Sequence, residues 1–356
     1  MHSRIQKIVG QFGELTIDAM LTFSFENRRY VTGFTGSSGF VLITDREVVL
    51  ATDGRYVEQA KAQVNEVTVV EHQSRWMMTI LEEAKRLGVK RIGFEADQVT
   101  YKTVEELKKV FAPLELIPVS GIIEHVREIK EESELTIMRQ AASIADQAFT
   151  HILGYLRPGL KETDVALELE VFMRKLGATG PSFDTIVASG PRSALPHGVA
   201  SDRVIQSGEF VKMDYGCYYQ GYASDITRTV VVGKPTDRHK EIYGVVLEAQ
   251  LAGVAGMRAG LTGEQADTLA RDVIVKAGYG EAFSHSLGHG LGLAVHEMPR
   301  VAQRSSDVLQ EGMVVTIEPG IYLPGFGGVR IEDDVWLTGN TCERLTLSKK
   351  DLITVE

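Results

Sequence analysis

Cysteine is nearly absent, with two in 356 residues, too few for a disulfide framework in a chain of this length. Positive charge is also scarce: 38 Lys and Arg stand against 48 Asp and Glu, for a formal net charge of −10. A sequence-independent grip on phosphate backbones needs the opposite balance, which excludes nucleic acid as a partner. Apolar runs are short. The longest, such as Phe40–Thr44 and Val48–Ala51, fall far below the roughly 20 residues of a membrane span, so no membrane association is expected. The amino terminus lacks the basic-then-apolar layout of a secretory signal, which together with the cysteine count points to the cytoplasm. Two common catalytic devices are missing as well. No G-x-S-x-G segment offers a nucleophilic serine. Gly33-Phe-Thr-Gly36-Ser-Ser-Gly39 runs into Phe40, not into the Lys-Ser/Thr of a phosphate loop.

What is present suits a large folded protein. Apolar residues make up 44% and charged residues 24% of the chain, enough for a sizeable core, and at about 100–200 residues per domain the length suggests two domains. Over residues 1–125, short apolar runs alternate with amphipathic ones. Strands are expected at Met20–Ser24, Phe40–Thr44, Val48–Thr52, Val67–Glu71, Arg91–Phe94 and Leu114–Pro118, and helices at Arg55–Gln63, Met77–Leu87 and Val104–Phe111. This is an α/β domain whose sheet is mixed, because Asp45-Arg46-Glu47 joins two of the strands as a hairpin. The charged stretch Glu124–Glu134 marks the domain boundary and leads into a long helix from about Leu135 to Leu156, ended by Pro158-Gly159.

Residues 126–356 contain a faint internal repeat. Arg157-Pro-Gly159-Leu160 aligns with Arg258-Ala-Gly260-Leu261, and each is followed by an amphipathic helix ending in Lys-x-Gly, at Lys175/Gly177 and Lys276/Gly278. The second helix opens on a capping box, Thr262-x-x-Gln265. The identities are few. If real, the repeat predicts a pseudo-twofold domain with a site between its halves.

Each half of that repeat carries an acidic hairpin. In Val211–Val232, a turn centred between Tyr219 and Gln220 sets Asp214 directly opposite Asp225. In Val314–Trp336, a loop centred on Gly325 sets Glu318 opposite Glu332. Facing carboxylates about 4.5–5.5 Å apart at Cβ repel one another. Either pair alone also fits a solvated outer face, but two such pairs embedded in apolar strand point to a cation between them, since four buried carboxylates are prohibitively unfavourable without metal charge. Cys217 lies at odd offset from Asp214 and is expected to face the other way, into packing.

Of the nine histidines, His2, His72, His125, His151 and His239 sit in polar or terminal contexts and read as surface residues. His289, in Leu287-Gly-His289-Gly-Leu-Gly-Leu293, is flanked by glycines that permit close approach of backbone and ligand. The alternating glycines do not form a dinucleotide loop, because no strand and helix start surround them. His296, in Val295-His296-Glu297-Met298-Pro299-Arg300, and His197, in Leu195-Pro196-His197-Gly198, each also fit a packed or turn histidine when taken alone.

In this order and spacing, Asp214, Asp225, His289, Glu318 and Glu332 resemble the five metal ligands of the pita-bread metallopeptidases, a family that includes methionine aminopeptidase, aminopeptidase P, prolidase and the metal-free creatinase. Tyr30-Val-Thr-Gly-Phe-Thr-Gly36 and Thr52-Asp-Gly-Arg-Tyr56 resemble the amino-terminal domain of the creatinase–prolidase branch, so the resemblance spans the chain. It implies an α/β amino-terminal domain, residues 1–125, followed by an α+β pita-bread catalytic domain, residues 126–356, with a pseudo-twofold internal repeat. Asp225 and Glu332 would bridge two divalent ions, Asp214 would chelate one, and His289 with Glu318 would complete the other. His197 and His296 match the substrate-side histidines of the family. Arg330 matches an arginine of the proline-specific members and is expected, with Thr227, to orient the ligands from behind.

Four carboxylates and one imidazole form an oxygen-rich set that favours Mn²⁺, with Co²⁺ or Zn²⁺ able to substitute. The implied chemistry is attack by a metal-bridging hydroxide on a polarised carbonyl, with Glu318 as proton shuttle and with His296 and His197 stabilising the tetrahedral intermediate and the scissile amide. The expected activity is an Xaa-Pro dipeptidase taking a peptide with proline in second position. An Xaa-Pro aminopeptidase acting on longer peptides would use the same centre. A non-catalytic pita-bread peptide-binding protein would betray itself by a lost ligand, and all five are present. Arg300 shares a face with His296 if Val295–Arg300 is extended, which makes it the candidate receptor for the proline carboxylate. A homodimer is implied by resemblance alone.

Overall fold

A computed structural model describes residues 3–356; His2, read above as a surface residue, lies outside them. The chain divides into two compact units, one ending at Arg127 and the other running Glu128–Glu356.

The first unit is built on a six-stranded sheet in the spatial order Thr68–Glu71, Val48–Thr52, Phe40–Thr44, Ala19–Thr22, Arg91–Glu95, Glu115–Val119. The sheet is mixed: Phe40–Thr44 pairs antiparallel with both of its neighbours, whereas Ala19–Thr22 runs parallel to Arg91–Glu95. Helices Val57–Gln63, Trp76–Arg86 and Tyr101–Val110 fall close to where apolar spacing places them. The helix Phe25–Thr32 is unexpected. Its start is capped by Ser24, whose Oγ accepts from Asn27 N at 3.0 Å. Its buried face includes Asn27 and Arg28, the latter donating to the carbonyls of Gly36 and Gly39, so an apolar periodicity does not reveal it. His72 is buried, contrary to expectation, because the strand ending at Glu71 delivers it beside the Phe40 ring, 6.1 Å away.

In the second unit the repeat is structural. Helices Glu162–Lys175 and Gly263–Lys276 have 14 residues each and keep the offset of the sequence motif. Each follows a longer helix, Glu132–Tyr155 or Asp237–Gly256. Thr262 and Gln265 form the predicted capping box, with reciprocal bonds of 2.9 and 3.2 Å. Each helix pair covers one sheet built on three antiparallel neighbours: strands Ile186–Ser189, Glu209–Tyr215 and Ile226–Val232 in the first half, where Thr354–Val355 adds in parallel, and Gly288–Gly290, Val314–Ile317 and Asp333–Leu337 in the second. Two separate cores result. Ala145, Leu169, Val211, Met213 and Cys217 belong to one, and Val246, Ala270, Val315 and Val335 to the other. Burying alternate residues of each strand in its own core leaves the opposite faces, which carry the acids, free to meet. His239 is a further correction: it is buried at the start of its helix, where Nδ1 accepts from Thr236 N and the ring packs on Phe210 at 4.5 Å.

Candidate metal centre

The two acidic hairpins differ in how far local reasoning places them. In the second, Ile317 pairs with Asp333 and Gly320 with Arg330, which sets Glu318 opposite Glu332 about a loop centred on Gly325, as the spacing predicts. In the first, Asp214 is opposite Thr227, not Asp225. Tyr219 pairs with Tyr222, and Gln220 and Gly221 both take positive φ, 44° and 80°. A two-residue hairpin loop of type I′ needs positive φ at both central positions, and seating Gly221 in the second of them moves the turn centre one residue along. The register therefore slips by two. Because side chains alternate with period two, the slip keeps Asp225 on the face of Asp214, diagonal to it.

The carboxylate oxygens of Asp214, Asp225 and Glu332 consequently lie within 4.8 Å of one another. His289 joins them, its Nε2 3.6 Å from Glu318 Oε1 and 3.8 Å from Asp225 Oδ2. The flanking glycines serve the expected close approach: a Cβ on Gly288 or Gly290 would meet the carbonyl oxygen of Thr316 or Met298 at 2.0 or 2.1 Å. His289 Nδ1 lies 3.0 Å from Gly290 O. That bond needs the proton on Nδ1, which turns the Nε2 lone pair toward the acids.

Burial, with repulsion from neighbouring acids, holds the Asp225 and Glu332 carboxyls well above the usual carboxylate range. Burial also pushes Glu318 up to about 8 against the opposing pull of Arg330, and His289 down to about 4. Asp214 Oδ1 and Asp225 Oδ1 are buried with no hydrogen-bond partner. Orphaned carboxylate oxygens, mutually repelling acids and a neutral imidazole with a free lone pair are the donor set of a divalent-metal site, and the residues present fit one.

Behind the acids, Arg330 pairs with Asp214 through Nη2 and donates from Nε to Thr227 Oγ1 at 3.0 Å; Thr227 in turn donates to Glu332 Oε2 at 2.5 Å. Arg330 Nη1 reaches the Tyr322 hydroxyl at 2.7 Å, and that hydroxyl lies 2.8 Å from His285 Nε2. Lys212 is buried on the same strand face as Asp214. Sequence reasoning passed over Lys212, His285, Tyr322 and Asp334, whose Oδ2 accepts from Asp225 N at 3.0 Å. Strand alternation from Asp214 would have revealed Lys212; His285 sits in no motif.

His197 and His296 are exposed, with the His296 ring 4.3 Å from that of His289. The premise for Arg300 requires correction. The strand begins at Glu297, and Val295 and His296 lie in the bend before it, so the stretch from Val295 to Arg300 is not extended throughout; a bulge between the pairs His289–Arg300 and Gly290–Glu297 leaves Met298 and Pro299 extra. Arg300 is exposed and stands directly across from His289 instead.

Buried acids and a neutral imidazole at the meeting of two half-repeats define a metal-dependent hydrolytic centre on a pita-bread scaffold. The chain belongs to metallopeptidase family M24, whose pattern matches residues 136–339, and residues 4–129 match the creatinase/prolidase N-terminal domain. It is similar to the Xaa-Pro dipeptidase from Bacillus anthracis, with 52% identity and a TM-score of 0.96 over 99% of both chains. The prolidase from Pyrococcus horikoshii OT3 is 44% identical with a TM-score of 0.93, over 99% of this chain and all of the other. The X-Pro aminopeptidase from Thermotoga maritima MSB8 is 40% identical, with a TM-score of 0.92 and the same coverage.

Proposed function

We propose that this metallopeptidase is an exopeptidase that hydrolyses the Xaa-Pro bond of dipeptides. The observation that carries the reading is the convergence of Asp214, Asp225 and Glu332 within 4.8 Å with His289 and Glu318 alongside, joined to 44–52% identity with relatives named as prolidases or Xaa-Pro dipeptidases. Asp225 and Glu332 would hold both of two divalent cations, Asp214 one, and His289 with Glu318 the other; the oxygen-rich set favours Mn²⁺ over Co²⁺ or Zn²⁺. When bound, such ions supply Lewis acidity and an acidified water.

The chain's own groups do the rest. Arg330 and Thr227 hold the carboxylates of Asp214 and Glu332 in place from behind. Glu318 carries a proton from the attacking water to the leaving prolyl nitrogen. His296 and His197, both exposed, donate to the oxyanion and to the scissile amide. Arg300, across the ladder from His289, receives the proline carboxylate in a charge-assisted pair. The protein works in the reducing cytoplasm, consistent with two free cysteines, and as a homodimer, which rests on family resemblance.

A second reading, an Xaa-Pro aminopeptidase on longer peptides, is favoured by the Thermotoga maritima relative. Manganese-loaded protein assayed on Xaa-Pro and Xaa-Pro-Xaa peptides decides between them. Preferential release of proline from dipeptides is expected. Faster cleavage of the longer peptides would move the assignment to aminopeptidase, and no turnover of either would leave a peptide-binding protein.

A further inference from the structure

Lys212 precedes Asp214 by two residues on the strand Glu209–Tyr215, so its side chain leaves the same face as that carboxylate. It is fully buried. A lysine so placed is tolerated when its N–H groups find acceptors, and here they converge on one short piece of chain. Nζ donates to Leu195 O at 2.5 Å and to Pro196 O at 3.2 Å, with the Tyr322 ring 5.0 Å away. Arg330, from the strand Gly327–Arg330 of the other half-repeat, donates to the same Pro196 carbonyl at 3.1 Å. The residue that follows is His197. Its turn is closed by Gly198 N to Leu195 O at 3.2 Å and Val199 N to His197 O at 3.0 Å, and Arg192 ties its far end through Val199 O at 2.9 Å.

The exposed His197 thus stands on a turn whose two preceding carbonyls are fastened to the floor of the metal centre, one of them from both hairpins at once. We infer that Lys212 is a positioning residue for His197: its two bonds to Leu195 and Pro196 hold the histidine at a fixed distance from Asp214 on the same strand. An apolar side chain of equal length would fill the space and leave both carbonyls without that donor. The inference rests on the assignment of His197 to the substrate side of the site under the proposed function.

Lys212→Met removes the donors and keeps the stem; Lys212→Arg restores donors at the same position. Hydrogen exchange on the metal-free, full-length protein reads the turn without reference to activity. In Lys212→Met the amides of Gly198 and Val199 are expected to exchange about tenfold faster, with those of Glu209–Tyr215 and Ile226–Val232 unchanged and with Lys212→Arg close to the parent. Unchanged exchange at the turn, or an equal rise throughout those strands, overturns the inference. Kinetics supply a second readout on the manganese-loaded protein. Lys212→Met should lower kcat on an Xaa-Pro dipeptide about ten- to a hundredfold at constant metal content, and this loss should vanish in a His197→Ala background. The same loss in both backgrounds would show that Lys212 acts elsewhere and refute the coupling. Should the parent fail to cleave Xaa-Pro peptides, the proposed function falls, while the exchange experiment still judges the clamp.

Discussion

Removing the metals should invert the pH dependence of stability. In the metal-free protein Glu318 keeps its proton up to about pH 8, against an ordinary value of 4.5, chiefly because it is buried, and Asp225 and Glu332 are displaced in the same direction. Between those two pH values the folded state holds protons that the unfolded chain has released, so stability is full below about pH 4.5 and is lost as pH rises through 8. At about 1.4 kcal/mol per tenfold change in proton affinity, Glu318 alone sets an upper scale of roughly 4–5 kcal/mol. We expect the metal-free catalytic unit to lose about 2–5 kcal/mol between pH 5 and pH 8, or roughly 10 °C in Tm at this size. Saturating Mn²⁺ should reverse the trend, because the acids must ionise to bind it, and titration at pH 7 should release at least one proton per chain, read by calorimetry in buffers of different ionisation enthalpy. Asp225→Asn removes a repelling charge, so the metal-free variant should be more stable than the parent at pH 8, by about 1–3 kcal/mol, while binding less metal and losing turnover. Equal stability of the metal-free parent at pH 5 and pH 8, with no proton release on metal addition, would refute the reasoning.

Three further outcomes follow from the geometry. His289→Ala should reduce metal content measured by elemental analysis, whereas His296→Ala should lower kcat by about 10²–10³-fold with metal content intact; a metal lost from the second variant would reverse the ligand assignment. Arg300→Ala should raise KM for Xaa-Pro dipeptides several-fold more than for Xaa-Pro-Xaa peptides, and equal effects on the two would remove the arginine from carboxylate recognition. Asp333→Ala should destabilise the catalytic unit by about 3–5 kcal/mol in urea unfolding, because Asp333 is the buried partner of both Arg228 and Lys350 at 2.7 Å and its loss strands their charges; a change below about 1 kcal/mol would show the cluster to be dispensable.

Much of the site could be read in the chain because its determinants are local. Hard ligands recur at strand spacing, glycines flank His289 where two carbonyls crowd it, and the Thr262–Gln265 cap and the Lys-x-Gly helix ends mark the repeat. Even the misplaced turn of the first hairpin did little harm, since a slip of two residues preserves the face on which Asp214 and Asp225 meet. A slip of one would have separated them.

What the sequence by itself determined, then, is the set of groups that must share a face, since alternation and capping act over a few residues and need no knowledge of partners. Tertiary structure decided the rest. The backbone angles at Gln220 and Gly221 chose the register, and the bulge at Met298 and Pro299 chose how Arg300 meets His289. Packing of distant segments buried His72 and His239 and gathered Lys212, Arg330, Tyr322 and His285 behind the acids. The meeting of Lys212 and Arg330 on the Pro196 carbonyl joins residues 16 and 134 positions apart, which become neighbours only when the two half-cores close on each other, and no local pattern in the chain encodes that closure.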